Sequence, residues 1–455
     1  MIHRSRAATS AIAASLASTA LLAAATLPLP KTAASSTPSA PTTFLPLNDG
    51  TTARTASKVT AARAAARTAP WSPAECRAAF GHPCYGPTEL HRLYGVDKLH
   101  ERGIDGAGQT IAVVMPMRNK FAQDDLDRFS DGTGLPRTRI EVIERGDVPD
   151  PDPSDPVQGQ NVEETNIDLA LIHAMAPGAH LILVSTPVNI TSGAAGWKEV
   201  SEAVDWLTRT RHITAINFSY GVYEQQLAED VHRPGDYRAL YRLRQGLAAA
   251  SARGTTLVAA TGDTGPTGPN LAGTALYPER AVPWPASDPV VTGVGGSELH
   301  ADDQGYRTAP DTLWTANGTY NATGAGTSRA FWPARSTTDI TMAASPRNRV
   351  LAYSSVNVLP GQEPGWIRVA GTSAAAPLFA GLVALAAQQA GHPLGRLDAA
   401  LARITPGSHG TQDVTDGCND IPDVTGYCAH PGRDIASGVG TVRDAAAFTR
   451  ALARR

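Results

Sequence analysis

The sequence predicts an α/β fold built on a mostly parallel sheet with helices over it. Three observations carry that expectation. From Gln109 onward, short β-branched runs alternate with longer amphipathic stretches, the pattern of strand–helix–strand units. Apolar residues make up 42% of the 455, enough for a large core. Charged residues are only 18% and the net charge is -3, so there is no basic surplus to track phosphates and a nucleic-acid binder is excluded. The length suits either about three domains or one large α/β domain with flanking segments.

The chain opens with His3, Arg4 and Arg6, then a weakly apolar Ala/Leu/Ser/Thr stretch to Leu29 with small-residue cleavage options at Ala23–Ala25. This reads as a secretory signal over residues 1–34 rather than an uncleaved anchor. Residues 35–70 are Ala, Thr, Ser and Pro with scattered Arg, a linker or short pro-segment composition. Folded sequence is expected from Trp71 to residue 455. No later segment reads as an apolar span of bilayer length, so stable membrane insertion is not expected.

Strands are predicted at 110–115, 139–144, 180–185, 213–220, 255–262 and 290–296, and helices at 121–130, 163–175, 198–210 and 236–252. In such sheets ligands collect at the carboxyl ends of strands, so chemistry is sought there. Residues 371–377 read Gly-Thr-Ser-Ala-Ala-Ala-Pro before LFAGLVALAAQQA and Gly391. That predicts a helix with Ser373 at its N-terminal end and Pro377 in its first turn. Backbone N–H groups and the positive dipole end lie there, ready for an oxyanion. A bare Gly-Thr-Ser is ordinarily a helix cap, but the full Gly-Thr-Ser-Ala-x-x-Pro segment resembles the nucleophile segment of the subtilase superfamily of serine peptidases.

A serine nucleophile needs a base. The first strand ends in Pro116 and Met117 with no acid, His409-Gly-Thr follows Ser373 rather than preceding it, and His173 sits inside a helix. An Asp–His–Ser triad therefore fails in order and composition. Glu164 and Asp168 are four apart and share one helix face; side by side, they share protons. Glu163 competes but lies five residues from Asp168, off that face. The stretch Glu-Thr-Asn-Ile-Asp…His-Ala-Met-Ala-Pro-Gly-Ala resembles the catalytic helix of the sedolisin (serine-carboxyl peptidase) family. The resemblance implies a subtilisin-like three-layer fold, Glu164 as base and Asp168 as its partner. It also implies that Asp263, in Gly-Asp-Thr-Gly, is a protonated oxyanion donor, a role that favours acid pH. The segment Ser219, Tyr220 and Gly221 resembles the family strand that binds substrate backbone.

The same resemblance implies one structural Ca²⁺, held by the side chains of Asp413 and Asp434 and the carbonyls of Val414, His430 and Gly432. His430 stands where the family usually has glycine, which requires a backbone angle that tolerates a side chain. The Cys76/Cys84 and Cys418/Cys428 pairs are close in sequence, and these local bridges are the first choice among three connectivities in an exported chain. The expected protein is a secreted, extracellular, monomeric endopeptidase acting on polypeptides. Its rivals are an inactive peptide-binding relative and a subtilisin-like enzyme.

Overall fold

The computed structural model describes residues 67, 69–152, 155–188, 193–230, 233–356 and 364–454. The chain divides into residues 1–39 and 40–455, and all described residues belong to the second unit. The expected signal and most of the expected linker lie outside the described residues.

The core is a ten-stranded sheet. Across it the strands run Thr411–Gln412, Thr441–Val442, Ile340–Ala343, Val291–Glu298, Thr256–Ala260, Ala215–Phe218, Thr110–Pro116, His180–Thr186 and Ile140–Glu144, with Thr312–Leu313 beside Val291–Glu298. Only the short Thr411–Gln412 and Thr312–Leu313 strands pair antiparallel. The central strands are buried nearly end to end, as in Ile111–Pro116, because helices cover both faces of a parallel sheet. The helices Pro156–Met175 and Thr372–Ala390, here the acid helix and the serine helix, pack on one another, and the serine helix also lies across five central strands. Ala194–Thr210 and Arg238–Ala252 pair as a separate layer. This is the expected α/β architecture.

Several particulars differ from the sequence reading. The acid helix begins at Pro156, seven residues before the predicted start. Asp155 caps it by accepting from the Val157 N–H at 2.9 Å, and capping does not need the apolar periodicity that marks position 163. Pro377 sits in the second turn of the serine helix, since that helix starts at Thr372. The serine helix is also long and apolar enough to cross a membrane, contrary to expectation, but 83% of its most apolar window is buried in the protein. A three-stranded sheet of Cys84–Tyr85, Arg349–Ser354 and Gly365–Val369 was not foreseen. The folded chain is tied down by Arg67, which stacks on Trp71 and pairs with Glu75 at 2.6 Å. Both expected disulfides are formed.

The acid and serine helices touch almost backbone to backbone. A Cβ added to Gly381 would lie 2.5 Å from Met175 Cβ and 3.2 Å from the Ile172 carbonyl oxygen. Gly381→Ala is therefore expected to cost about 1–3 kcal/mol of stability by overpacking, read as a lower urea midpoint; an unchanged midpoint would show that the interface yields freely.

Candidate active site

Three carboxyl ends of strands and one helix start converge here. Ala215–Phe218 runs into Ser219, Thr256–Ala260 runs into Asp263, and Gly365–Val369 runs into Gly371 and the serine helix. Gly371 has φ 117°, a conformation that favours glycine. A Cβ there would lie 2.5 Å from Asp263 Oδ2 and 3.4 Å from Ser373 Oγ, so the missing side chain leaves the space between those two oxygens open. Ser373 is fully buried at the helix N-terminus, where first-turn N–H groups have no intrahelical acceptor.

Glu164 faces Ser373. Burial first, then the negative charges of Asp168, Asp263 and Glu163, raise its pKa well above the usual carboxylate range, and the Ser373 hydroxyl offsets part of that rise. The contact does not close to hydrogen-bond geometry: both Glu164 oxygens and Ser373 Oγ are buried without a partner. Such contacts between a hydroxyl and a facing carboxyl are often long in the absence of substrate. Asp168 is also raised by burial, with the Ser219 and Asn217 side chains acting against the rise. Ser219 Oγ donates to Asp168 Oδ1, and Asn217 Nδ2 donates to Ser219 Oγ at 2.9 Å. Asp168 Oδ2 has no partner.

Asp263 is held by one oxygen. Its Oδ1 accepts from the Thr372 N–H at 2.7 Å and the Thr372 hydroxyl at 2.9 Å. Its Oδ2 is buried with no partner. Burial raises its pKa to about 7 against the two Thr372 donors, so the acid is neutral over the acid range and its proton belongs on Oδ2. Glu163, set aside in the sequence reading, is also buried and raised to about 7; only above that value does it add negative charge beside Glu164.

The four residues Glu164, Asp168, Asp263 and Ser373 thus meet. The histidines do not join them: His173 Nε2 meets the Pro136 carbonyl oxygen at 2.8 Å, and His409 is exposed on a turn. Among the described residues no histidine hydrogen-bonds to any of the four. The side chains of Ser219 and Tyr220 both turn inward. Ser219 serves Asp168, and the Tyr220 ring turns into the core against Trp197, with its hydroxyl on the Val114 carbonyl. Sequence reasoning missed Thr372 and Asn217. Asn217 was findable, because positions two apart share one side of a strand.

At the C-terminal loops, the Gly432 N–H donates to Asp413 Oδ2 at 2.8 Å and the His430 N–H to Asp434 Oδ2 at 2.9 Å. Ser437 Oγ lies 3.0 Å from Asp434 Oδ1 and 3.4 Å from the Val414 carbonyl oxygen. The two loops therefore converge, and Asp413 Oδ1 is buried without a partner. His430 does not have a positive φ, whereas Gly432 has φ 87°, so the histidine is tolerated and the glycine is required. The bare Asp413 oxygen between two converging loops is the kind of donor a hard cation takes. The nearby Cys418, Asp420 and Cys428 group is no rival, since its cysteines form a disulfide.

A sequence model described as the subtilase family matches residues 157–400, just over half of the chain. The chain belongs to the subtilase family. Its similarity runs to the sedolisin branch. It is 29% identical to kumamolisin of Bacillus sp. (strain MN-32) over 377 residues, covering 78% of this chain and 62% of that protein. It is 27% identical to sedolisin of Pseudomonas sp. (strain 101), covering 79% and 60%. The chain thus spans about three fifths of the length of these curated relatives. The solved Pseudomonas sedolisin, a serine-carboxyl proteinase complexed with two molecules of pseudo-iodotyrostatin, shares the fold with a TM-score of 0.65 at 24% identity, over 80% of this chain and 97% of that one.

The raised Asp263 has a consequence for stability. A carboxyl whose folded pKa exceeds its unfolded value stabilises fully below the unfolded pKa and loses that contribution as pH rises through the folded one. For Asp263 the window runs from 3.8 to about 7. Asp263→Asn cannot titrate, so its melting temperature is expected to fall less than the wild type's across that window. Parallel profiles would show that Asp263 does not titrate there.

Proposed function

We propose that this chain is a secreted endopeptidase that hydrolyses polypeptides at acid pH through Ser373, Glu164 and Asp168, with Asp263 as oxyanion donor. The observation that carries the reading is the set of unpartnered oxygens on all four residues, gathered at the start of one helix. A buried polar atom without a partner is costly, and several of them gathered on ionisable and nucleophilic groups mark a functional site. The similarity to kumamolisin and sedolisin supports the same reading. Two disulfides suit an oxidising, extracellular compartment.

In this mechanism the Glu164–Asp168 pair holds one proton. Ser373 Oγ bonds to the scissile carbonyl carbon, and the carbonyl π pair moves onto its oxygen. The serine proton passes to Glu164, whose own proton moves to Asp168 Oδ2. The Asp263 Oδ2 proton and first-turn N–H groups of the serine helix receive the oxyanion; one such donor is worth about 10²–10³ in rate. As the tetrahedral centre collapses, the carbon–nitrogen bond breaks and the amine takes a proton from Glu164, while Asp168 returns the one it received. An ester on Ser373 remains. Water then attacks it by the same proton path, releasing the acid product and restoring the serine hydroxyl. The chain acts as a monomer, and its carboxyl-based relay takes the place of an imidazole.

One structural Ca²⁺ belongs to the same reading, held by the Asp413 and Asp434 side chains and the carbonyls of Val414, His430 and Gly432. The ion would neutralise two carboxylates and pin the loop closed by Cys418–Cys428, away from the reacting atoms.

Casein or haemoglobin digestion from acid to neutral pH, with wild type against Ser373→Ala, tests the activity. Cleavage by wild type alone is expected, falling as pH rises through about 7 where Asp263 loses its proton. No cleavage at any pH would favour a peptide-binding protein, and an alkaline optimum would favour a subtilisin-like enzyme. For the metal, chelation is expected to lower the melting temperature and added Ca²⁺ to restore it; a chelator-insensitive transition would count against the site.

A further inference from the structure

Ser219 bridges the two helices that carry the reacting groups. Its hydroxyl hydrogen goes to Asp168 Oδ1, and its oxygen lies 3.1 Å from the Ser373 carbonyl oxygen. That carbonyl is available because Pro377, four residues on, has no N–H to occupy it. A hydroxyl has one proton, and a carboxylate draws it more strongly than a carbonyl does. Asn217 Nδ2 donates into the same hydroxyl from behind at 2.9 Å, which aims the Ser219 O–H at Asp168. Ser219, Asn217 and Asp168 are all fully buried, so water does not compete for these bonds.

Resting on the peptidase reading above, we propose that Ser219, aimed by Asn217, is a positioning residue that keeps Asp168 a ready terminal acceptor in the proton relay and thereby sets the acid limb of the pH–rate profile. The logic follows from the order of transfer. Glu164 accepts the serine proton only as fast as it passes its own to Asp168, so Asp168 must be ionised beforehand. A hydroxyl donating to the charged form favours that form. With Ser219 holding Oδ1, Oδ2 is the oxygen left for Glu164. The Ser219 and Asn217 side chains both oppose the rise that burial imposes on Asp168.

The ionisable surroundings allow a clean reading of that limb. The acid helix contributes Glu164 beside Asp168 and Glu163 beside Glu164, and Asp263 acts on Glu164 from the strand end. The neighbouring strand segment contributes only the Tyr220 phenol, which Asp168 pushes further up. The serine helix, Thr372–Ala390, carries no ionisable side chain, and neither does the strand Thr110–Pro116. The other elements packed on the acid helix carry charge too, among them Asp125 and Arg128 on Ala122–Thr133, His91 on Pro87–Tyr94 and Arg349 on Arg349–Ser354. Among the described residues no cation acts on Glu164 or Asp168, and the hydroxyl and amide donors are what opposes protonation of Asp168.

The test measures kcat and KM against pH for wild type, Ser219→Ala, Ser219→Thr and Asn217→Ala on a quenched-fluorescence peptide. Folding is checked by thermal melts. Ser219→Ala is expected to move the acid limb of kcat up by about one pH unit, the worth of a hydrogen bond to a charged group. KM and the alkaline limb, set by Asp263, stay in place. Ser219→Thr, which keeps the hydroxyl, returns the acid limb to its wild-type position whatever its kcat. Asn217→Ala moves the limb the same way by less, and it decides the matter if Ser219→Ala fails to fold. A uniform fall in kcat with an unmoved acid limb would overturn the proposal in favour of simple packing, as would a threonine variant displaced like alanine. A wild type that cuts nothing overturns the peptidase reading itself, a result distinct from either.

Discussion

The site depends on keeping a pair of carboxyls dry. Glu164 and Asp168 lie at the seam where the acid helix meets a serine helix that carries no charge at all. In that seam the charged forms lose hydration, and each acid repels the ionisation of the other. The pair therefore holds protons far more readily than solvated carboxyls do, which makes it usable as a relay in place of histidine. The two helices approach closely at Gly381, and both acids between them are buried. A bulkier seam would separate the acids from Ser373 and let solvent in.

The fold supplies the rest by geometry that recurs in parallel sheets. Strand ends deliver Ser219 and Asp263, and a helix start delivers Ser373, all on the side where strands finish. Each of the two aspartates is then tethered at one oxygen and left free at the other, while Glu164 is held at neither. Thr372 takes Asp263 Oδ1 and Ser219 takes Asp168 Oδ1, while both Oδ2 atoms stay unpartnered. Such one-sided tethering orients a carboxyl while sparing the oxygen that works. The two aspartates differ in their surroundings: Asp263 is tethered by Thr372 alone, whereas Asp168 is tethered by Ser219 and lies beside Glu164.

Much of the architecture was legible because strand–helix alternation survives in one dimension. The central strands and the helices between them appear near their expected positions. Helix starts set by single caps were harder to read: Asp155 opens the acid helix where no apolar periodicity announces it. The small sheet joining Cys84–Tyr85 to residues 349–369 unites segments more than 260 positions apart, and no local signal encodes that pairing. Ser219 and Tyr220 show the limit in another form. A strand-end motif reveals that a segment is special, but not whether its side chains face a ligand or the interior.

The amino-acid sequence by itself determined the composition of the chemistry: a serine at a helix start, two acids one helical turn apart, a third acid between glycines, and no histidine in the right order. Residue type and short-range spacing suffice for that, because turn geometry repeats every few residues. Only the tertiary structure decided which oxygens stay bare, how the seam excludes water, and that Thr372 and Asn217 belong to the site. Those properties arise chiefly from contacts between residues 51 to 154 positions apart, and burial is a property of the assembled molecule rather than of any stretch of chain.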